Sequence, residues 1–391
     1  MCQYPLRRRA ACLPLVYKGE AVHRSSIEIL SEYAQVPARD MAGRYIASLM
    51  QYGPMFYVAH ANIAIKALSI DGKVLPLVIN AGTSATSYVW SPYAHYALYT
   101  IEEFRKRHAP IPTMSFRGLA LPFGAALRTT SIDRVVFVNN WLWSTNPSPG
   151  LSAAQIGAVT SRLLEAYPDS AIVFRSVNPL LDPSLYKALG ENDYRLVRSR
   201  RVYVLDGASP RPLQHYNTQI DLKLLHNSPY QIIACQSTLE PYAPRMAELY
   251  SALYLTKHSR LNPHFNAEFF RLTLKENVFQ YRALSRNGSI DAFVAFFVER
   301  EVMTGAVLGY AQELSQKLGL YRLAVAMLIA EATTRHLQLN LSGGVGQFKM
   351  LRGAIPVEEF DAVYDHHLPL HRRLAWTALR IAGRLSLSAS Q

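Results

Sequence analysis

Cysteine, acidic residues and long apolar runs are all scarce in this chain of 391 residues. The few cysteines have no paired spacing and no C-x-x-C motif, which argues against a disulfide scaffold or a zinc site and suits a reducing cytosol. No run reaches the roughly 18 apolar residues that a membrane-spanning helix needs. Pro14 and Lys18 interrupt the apolar patch that follows Arg7, so a signal peptide is not expected either. We therefore expect a cytoplasmic chain without stable membrane insertion.

The shortage of acidic residues gives the chain a strong positive charge. Lysine and arginine number 41 against 28 aspartates and glutamates, for a net charge of +13. Half of the residues are apolar, which is enough for a large core. A basic balance of this size indicates a phosphate-bearing partner, such as nucleic acid, a nucleotide cofactor or an anionic membrane. A solvated basic surface without a partner is the alternative.

Two halves of the chain share an order of elements. Asp71-Gly72 and Asn287-Gly288 each lie between β-rich runs, and these dipeptides favour the tight turn of a β-hairpin. In each half a strand, a helix and a second strand follow the hairpin, over 135–138, 152–166 and 171–174, and over 303–308, 320–336 and 337–341. This order predicts two similar domains, with bounds at 1–210 and 211–391.

Polar residues gather on both sides of the helix in the second half. The stretch 316–319 precedes the helix, and the polar, glycine-rich stretch 342–349 follows the strand after it. A strand, a helix and a parallel strand form a right-handed crossover, and such units bind ligands beyond the carboxyl ends of their strands. The sequence therefore predicts a site there, with 342–349 as a loop.

This arrangement, with Phe348-Lys349 just after the second strand–helix–strand unit, resembles the GNAT acyltransferases and, within them, the tandem-domain Fem aminoacyltransferases. The resemblance implies an α/β fold of two tandem GNAT-like domains, each a mixed sheet flanked by helices. It also implies an acyltransferase that forms an amide bond with an amine on a small molecule or a peptide. In the Fem family the Phe-Lys pair helps to hold the acceptor or the charge that develops during acyl transfer.

The GNAT pattern for binding the pyrophosphate of coenzyme A is matched only in part. Gln316 and Gly319 fit its first two positions, but Tyr321 replaces a small residue, and so large a side chain obstructs a close approach to the backbone. Fem-like enzymes take the acyl group from aminoacyl-tRNA, which implies that donor here, tRNA as a partner and no resident cofactor. An acyl-coenzyme A or carrier-thioester donor is the alternative. It would use Gln316, Gly319, Tyr321 and Arg322.

Lys349 is the first candidate catalytic residue, because a fixed cation stabilises the oxyanion of a tetrahedral intermediate. Tyr364 is the second, since GNAT enzymes often use a late tyrosine as general acid. Arg352 could clamp a phosphate or carboxylate. The remaining substrate-binding candidates are Phe348, Gly344, Asn340 and Tyr310, together with Lys257 and Asn262 from a polar, basic loop.

Three further patterns leave alternatives open. His366, His367 and His371 are not expected to bind metal, because Pro369 breaks the helix that would align them. Strict alternation along the strand near 195–205 would place Arg198 and Arg200 on one face, where they could track a phosphate backbone. The tail from Pro369 predicts a basic helix that either docks on its domain or contacts membrane or nucleic acid. A non-catalytic protein that binds nucleic acid or a membrane surface is therefore the second alternative function.

Overall fold

A computed structural model of the chain describes residues 26–102 and 124–388. The expectations about Cys2, Cys12 and the basic segment before residue 26 lie outside these residues. The α/β class is confirmed, with mixed strand pairing and helices that flank the sheet.

Twelve strands form one continuous sheet, in the order β1-β2-β3-β4-β5-β12-β6-β11-β10-β9-β8-β7. Their bounds are β1 (Ile27–Leu30), β2 (Ala64–Ile70), β3 (Lys73–Ala81), β4 (Arg134–Val138), β5 (Ala171–Val177), β6 (Arg195–Asp206), β7 (Gln231–Ile233), β8 (Gln280–Arg286), β9 (Ser289–Glu299), β10 (Val302–Tyr310), β11 (Gln338–Asn340) and β12 (Ile355–Tyr364).

The main α-helices cover both halves of the sheet. They are α1 (Met41–Tyr52), α2 (Pro54–Tyr57), α3 (Ala153–Ala166), α4 (Pro183–Glu191), α5 (Arg211–Gln214), α6 (Tyr216–His226), α7 (Gln236–Leu239), α8 (Ala243–Tyr250), α9 (Ala267–Lys275), α10 (Leu320–Thr334), α11 (Gly346–Met350) and α12 (Leu370–Ser388). Two π-helical segments, Ala94–Tyr99 and Ser251–His258, complete the set. Within the described residues, no helix is both long and apolar enough to cross a membrane.

The two hairpins predicted from Asp-Gly and Asn-Gly are confirmed. Asp71 and Gly72 have φ values of 49° and 84°, and Asn287 and Gly288 have 52° and 75°. Positive φ at both central residues is what the tight hairpin turn requires. The turns join β2 to β3 and β8 to β9 in antiparallel register.

The two halves exchange their last strands. In the first half β4 and β5 are parallel and α3 connects them; in the second half β10 and β11 are parallel and α10 connects them. β6 leaves the first half to pair with β11, and β12 leaves the second half to pair with β5. β6 and β12 also pair with each other, which joins the sheets of the two halves edge to edge. The division near residue 210 stays a prediction, and strand pairing crosses it three times, between β6 and β11, β5 and β12, and β6 and β12.

A β-bulge in β6 corrects the predicted alternation of its arginines. Arg200 lies opposite Glu359 and Arg198 opposite Phe360, so Ser199 is an extra residue in β6. An extra residue reverses the face of everything beyond it. Arg198 therefore shares a face with Arg201, and both bind one carboxylate at 2.7 and 2.8 Å, whereas Arg200 points to the other side.

Two expectations about the carboxyl-terminal part have different outcomes. The tail is a helix, α12, and Trp376 and Leu379 pack it into the core. The stretch 342–349 is only partly a loop, because α11 begins at Gly346. Lys349 therefore lies on a short helix whose carboxyl end turns into β12.

Candidate functional site

The strands β10 and β11 diverge where the sequence predicted a site. Their parallel pairing ends at Thr304 and Asn340. β10 then continues along β9 with one extra residue, Ala306, and β11 turns away at Ser342, where φ is 59°. A bulge leaves its extra residue outside the ladder of hydrogen bonds. The edge of each strand that faced its parallel partner is thereby free to meet a ligand.

Lys349 closes the loop at the end of β11. Its side chain is 3% exposed, and Nζ donates to the carbonyl oxygens of Leu341, Ser342 and Gly343 at 2.7, 3.1 and 2.6 Å. Burial, and after it the positive charge of Arg200, lowers the pKa of Lys349 to about 7. Its three protons are thus all used within the chain, so stabilising an oxyanion would require exchange of one of these bonds.

Gly346 makes room for the ring beneath Lys349. The Nζ atom lies 5.5 Å from the centroid of the Tyr203 ring, and a Cβ on Gly346 would overlap the Tyr203 hydroxyl. We expect Gly346→Ala to destabilise the fold by about 1–3 kcal/mol, since overpacking forces the ring to move. Gly190→Ala in α4 is the control, because its Cβ meets no atom within 4 Å. Urea unfolding should separate the two variants, and equal stabilities would contradict this account of Gly346.

Arg352 is buried and fully engaged. Its guanidinium binds Asp221 of α6 through Nε at 2.7 Å and Nη2 at 2.6 Å, and it donates to the carbonyl oxygen of Phe348 at 2.7 Å. The guanidinium carbon also lies 3.3 Å from the centroid of the Phe348 ring. These contacts hold α6 against α11. They leave the predicted clamp for a ligand phosphate already occupied by a carboxylate of the chain.

The same carboxylate covers the first turn of α10. Asp221 accepts from Arg322 at 2.6 Å, and a Cβ on Gly319 would lie 3.0 Å from a methyl group of Leu224. The predicted pyrophosphate position is therefore covered by α6, and a negative charge is fixed beside it. Gln316, in contrast, is exposed before the helix.

Several of the predicted residues do meet in an aromatic row. The Tyr321 ring lies 5.9 Å from Tyr310 and 4.9 Å from Phe348. Lys257, from the π-helical segment, reaches the Tyr310 hydroxyl at 3.3 Å and lies 5.9 Å from its ring centroid. A row of rings with one cation at its end can stack on planar groups and bind a phosphate.

Other predicted residues have local structural partners. The Asn340 side chain accepts from the Ser342 N–H at 2.9 Å, and Asn262 donates to the carbonyl oxygens of Tyr254 and Ser259 at 3.2 and 2.8 Å. Both asparagines shape the backbone around the site. Gly344 has open space around its Cβ position and a φ of 75°.

Tyr364 is not brought to Lys349. Tyr203, under Lys349, pairs with Pro356 of β12, and Tyr364 lies eight residues further along that strand. At about 3.3 Å per residue this is roughly 26 Å. Tyr364 packs instead on Tyr194, with ring centroids 5.5 Å apart.

The three histidines near the end of β12 have separate surroundings. His366 Nε2 lies 3.1 Å from the carbonyl oxygen of Asp193, and His367 Nε2 lies 3.0 Å from that of Ser170. His371 is exposed on α12. Among residues 26–102 and 124–388, no group of His, Cys, Asp or Glu side chains is arranged to hold a metal ion.

The exchange of strands builds a buried polar cluster that the sequence did not indicate. Arg200 binds Glu359 at 2.8 Å, and the Tyr96 hydroxyl donates to Asp361 at 2.8 Å. A second bulge, in β5 beside Ser176, lies next to this cluster just as the bulge in β6 does. The central polar cluster consists of Arg175, Arg200, Glu359, Asp361, His95 and Tyr96.

Several buried polar atoms of the central polar cluster have no hydrogen-bond partner within the protein. One oxygen each of Glu359 and Asp361, and Nδ1 of His95, are buried without a protein partner. Burial raises the pKa of Asp361, while Arg175 opposes the shift. Burial and the two arginines lower the pKa of His95 to about 3. Unpartnered buried polar atoms of this kind are a place where a ligand or water can bind.

Tyrosines connect the aromatic row to the central polar cluster. Tyr254 is half-buried, and its pKa is raised by burial and by Tyr321 and Tyr88, while Arg200 opposes the shift. Tyr88 in turn lies 5.9 Å from the His95 ring. The candidate site thus extends from exposed Lys257 to buried Asp361 and uses side chains from both halves.

Comparisons with solved structures find similarities in fold at low sequence identity. No family model matches the chain, and no curated protein matches it. The C-terminal domain (DUF2156) of a candidate lysylphosphatidylglycerol synthetase from Agrobacterium fabrum is similar over 64% of this chain and 82% of its own, with 11% identity and a TM-score of 0.46. FemX is similar over 59% of this chain and 85% of its own, with 7% identity and a TM-score of 0.44. A tandem GNAT protein from the clavulanic acid biosynthesis pathway is similar over 87% of this chain and 98% of its own, with 9% identity and a TM-score of 0.37. At these values the matches identify no donor or acceptor.

Proposed function

We propose that this chain is a GNAT-fold acyltransferase that forms an amide bond, with aminoacyl-tRNA as donor and an amine as acceptor. The observation that carries the proposal is the covered first turn of α10. Leu224 packs on Gly319, and Asp221, bound by Arg322 and Arg352, anchors α6 against this turn. An acyltransferase of this fold without that position needs a donor other than coenzyme A.

The corresponding helix of the first half is closed as well. Ser152 accepts from the Gln155 N–H, and the Gln155 side chain accepts from the Ser152 N–H, which forms a capping box. The Gln155 amide also donates to Asp71 at 2.9 Å. The capping box thus occupies the amino-terminal turn of α3, whereas α10 begins after Gly319 without a side-chain cap.

Two features favour an RNA-borne donor. The net charge of +13 supplies the electrostatic attraction that nucleic-acid binding requires. The aromatic row of Tyr310, Tyr321 and Phe348 offers stacking surfaces for unpaired bases, with Lys257 placed for a phosphate. The single-stranded, acylated 3′ end of an aminoacyl-tRNA has both the unpaired bases and the phosphates that such a surface would bind.

The proposed chemistry is an aminolysis. The acceptor amine attacks the ester carbonyl carbon, a C–N bond forms, and the bond from that carbon to the tRNA ribose oxygen breaks. The amine loses a proton, and the departing ribose oxygen gains one. Asp361, with its raised pKa and an unpartnered oxygen, is our choice of proton acceptor, and Tyr364, which the sequence suggested as general acid, is given no role. Lys349 holds the loop 341–343 and contributes positive charge near the diverging strands.

The test compares donors directly. Aminoacyl-tRNA and acetyl-coenzyme A would each be titrated against the wild-type chain over a salt series, and transfer to hydroxylamine would be measured as hydroxamate. We expect tRNA binding that weakens steeply with salt, coenzyme A binding below detection, and hydroxamate formation above the rate without protein only from charged tRNA. Lys257→Ala should weaken tRNA binding, whereas Lys187→Ala, at an exposed lysine on α4, should not.

Two outcomes would contradict the proposal. Saturable coenzyme A binding without tRNA binding would favour the thioester alternative and would mean that α6 moves away from α10. Tight tRNA binding without transfer from any charged pool would favour a non-catalytic protein that binds nucleic acid.

A further inference from the structure

Exposed apolar side chains are concentrated beside Lys349. Two segments contribute them, 207–220 at the start of α6 and 341–357 around α11. Each of these side chains is between 40% and 75% exposed. They are Leu213, Tyr216, Val345, Met350, Leu351 and Ile355.

Contacts show that the two segments form one surface. A Cβ on Gly353 would lie 2.7 Å from the His215 ring, and the Thr218 hydroxyl donates to the carbonyl oxygen of Arg352 at 3.4 Å. We call this surface the acid-free rim, because neither 207–220 nor 341–357 contains an aspartate or a glutamate. A contiguous exposed apolar patch of this kind marks an interaction surface in a folded protein.

The charge of the rim narrows the choice of partner. Arg211 lies within it, and exposed Lys223 and His226 follow on α6. Asp221, the first acidic residue after the first segment, is buried and bound by two arginines. Asp206, directly before the first segment, is exposed, and Arg211 and Lys223 outnumber it. Apolar side chains among cations match the boundary of an anionic bilayer, where apolar groups enter the headgroup layer and each nearby cation contributes about 1 kcal/mol.

The backbone of Val345 is a second, independent indication that the rim contacts a partner. It is a β-branched residue with a φ of 43°, a backbone conformation that such residues rarely adopt. Its side chain is exposed, so packing does not compensate for the strain. Val345 is the N-cap residue of α11, and strained, exposed residues of this kind are found where a protein contacts a ligand or a partner.

We propose that the acid-free rim docks the chain on the surface of an anionic phospholipid bilayer, with Val345, Met350 and Leu351 entering the headgroup layer. Docking there would bring the bilayer surface next to α11 and Lys349. The proposal does not depend on the acyl-transfer chemistry, because lipid binding is measured without a donor.

The test is flotation of the full chain with vesicles of phosphatidylcholine alone or mixed with phosphatidylglycerol. Wild type should float only with the anionic vesicles, and salt should weaken its binding. Changing Val345→Gly, Met350→Gln and Leu351→Gln together should reduce binding about tenfold or more, given the apolar area withdrawn. Val345→Gly alone should weaken binding while leaving the fold equally stable or more stable, which separates docking from folding.

A matched control comes from a second apolar patch with acidic neighbours. Tyr52, Met55 and Phe56 on α1 and α2 are similarly exposed, and Glu268 and Glu276 act on Tyr57 beside them. Changing those three to glutamine should leave vesicle binding intact. The proposal is overturned if wild type does not float with anionic vesicles, or if the rim and control variants bind alike. It is also overturned if light scattering shows a wild-type dimer that the rim variant abolishes.

Discussion

Asp221→Ala should cost the fold about 3–5 kcal/mol, because it leaves the Arg352 guanidinium buried without its counter-charge. Asp221 and Arg352 are both almost fully buried, and their contacts at 2.6 and 2.7 Å are the main link between α6 and α11. The remaining bond of Arg352, to the Phe348 carbonyl oxygen, does not neutralise the charge. The midpoint of urea unfolding should fall accordingly, and part of the expressed chain should be insoluble.

The second arginine of this group provides the control. Arg322 binds the other oxygen of Asp221, but its side chain is 41% exposed. Arg322→Ala should therefore cost at most about 1 kcal/mol, since water replaces the lost partner. If both variants lost the same stability, the buried pair would not be what holds α6 in place.

Local elements could be predicted because their signals are contained in short windows. The Asp71-Gly72 and Asn287-Gly288 turns need positive φ, and those residue types supply it. Helix α10 and strand β11 differ in apolar period, which separates them in the sequence. The two halves could also be matched, since each repeats hairpin, strand, helix and parallel strand.

The exchange of β6 and β12 could not be predicted in the same way. Both strands have the composition of sheet strands, and nothing within a strand specifies which of two similar sheets it joins. The bulge at Ser199 is likewise set by pairing with β12 and not by the residues of β6 alone. Because that bulge decides the face of Arg200, strict alternation assigned Arg200 to the wrong side.

The site was predicted where residue type and chain position coincide, and missed where distant strands meet. Lys349, Tyr321, Phe348 and Tyr310 follow one crossover unit and do lie together. Asp361 joins them only through the exchanged strand β12, and its neighbours come from β5, β6 and a π-helical segment. The one signal in the sequence for this part of the site was the group of acidic residues in β12, because the chain has few acids.

Removing the Lys349 charge should change how stability depends on pH. In the folded chain the pKa of Lys349 is lowered to about 7 by burial and by Arg200, against an ordinary 10.5. Between these two values the unfolded chain holds a proton that the folded chain has released, so stability rises with pH, by at most about 1.4 kcal/mol per unit. Below about pH 7 both states are protonated, and the cost of the buried charge is constant.

Lys349→Met keeps the length of the side chain and removes this titration. The difference in unfolding free energy between wild type and Lys349→Met should therefore grow in favour of wild type from about pH 7 toward pH 10, while the titrations of all other groups cancel. Lys317→Met, at an exposed lysine before α10, is the control for loss of a lysine as such. A constant difference for Lys349→Met would mean that its three carbonyl partners keep Lys349 charged throughout. Lys349 would then act as a permanent cation at the end of β11, and only loss of transfer activity could reveal its role.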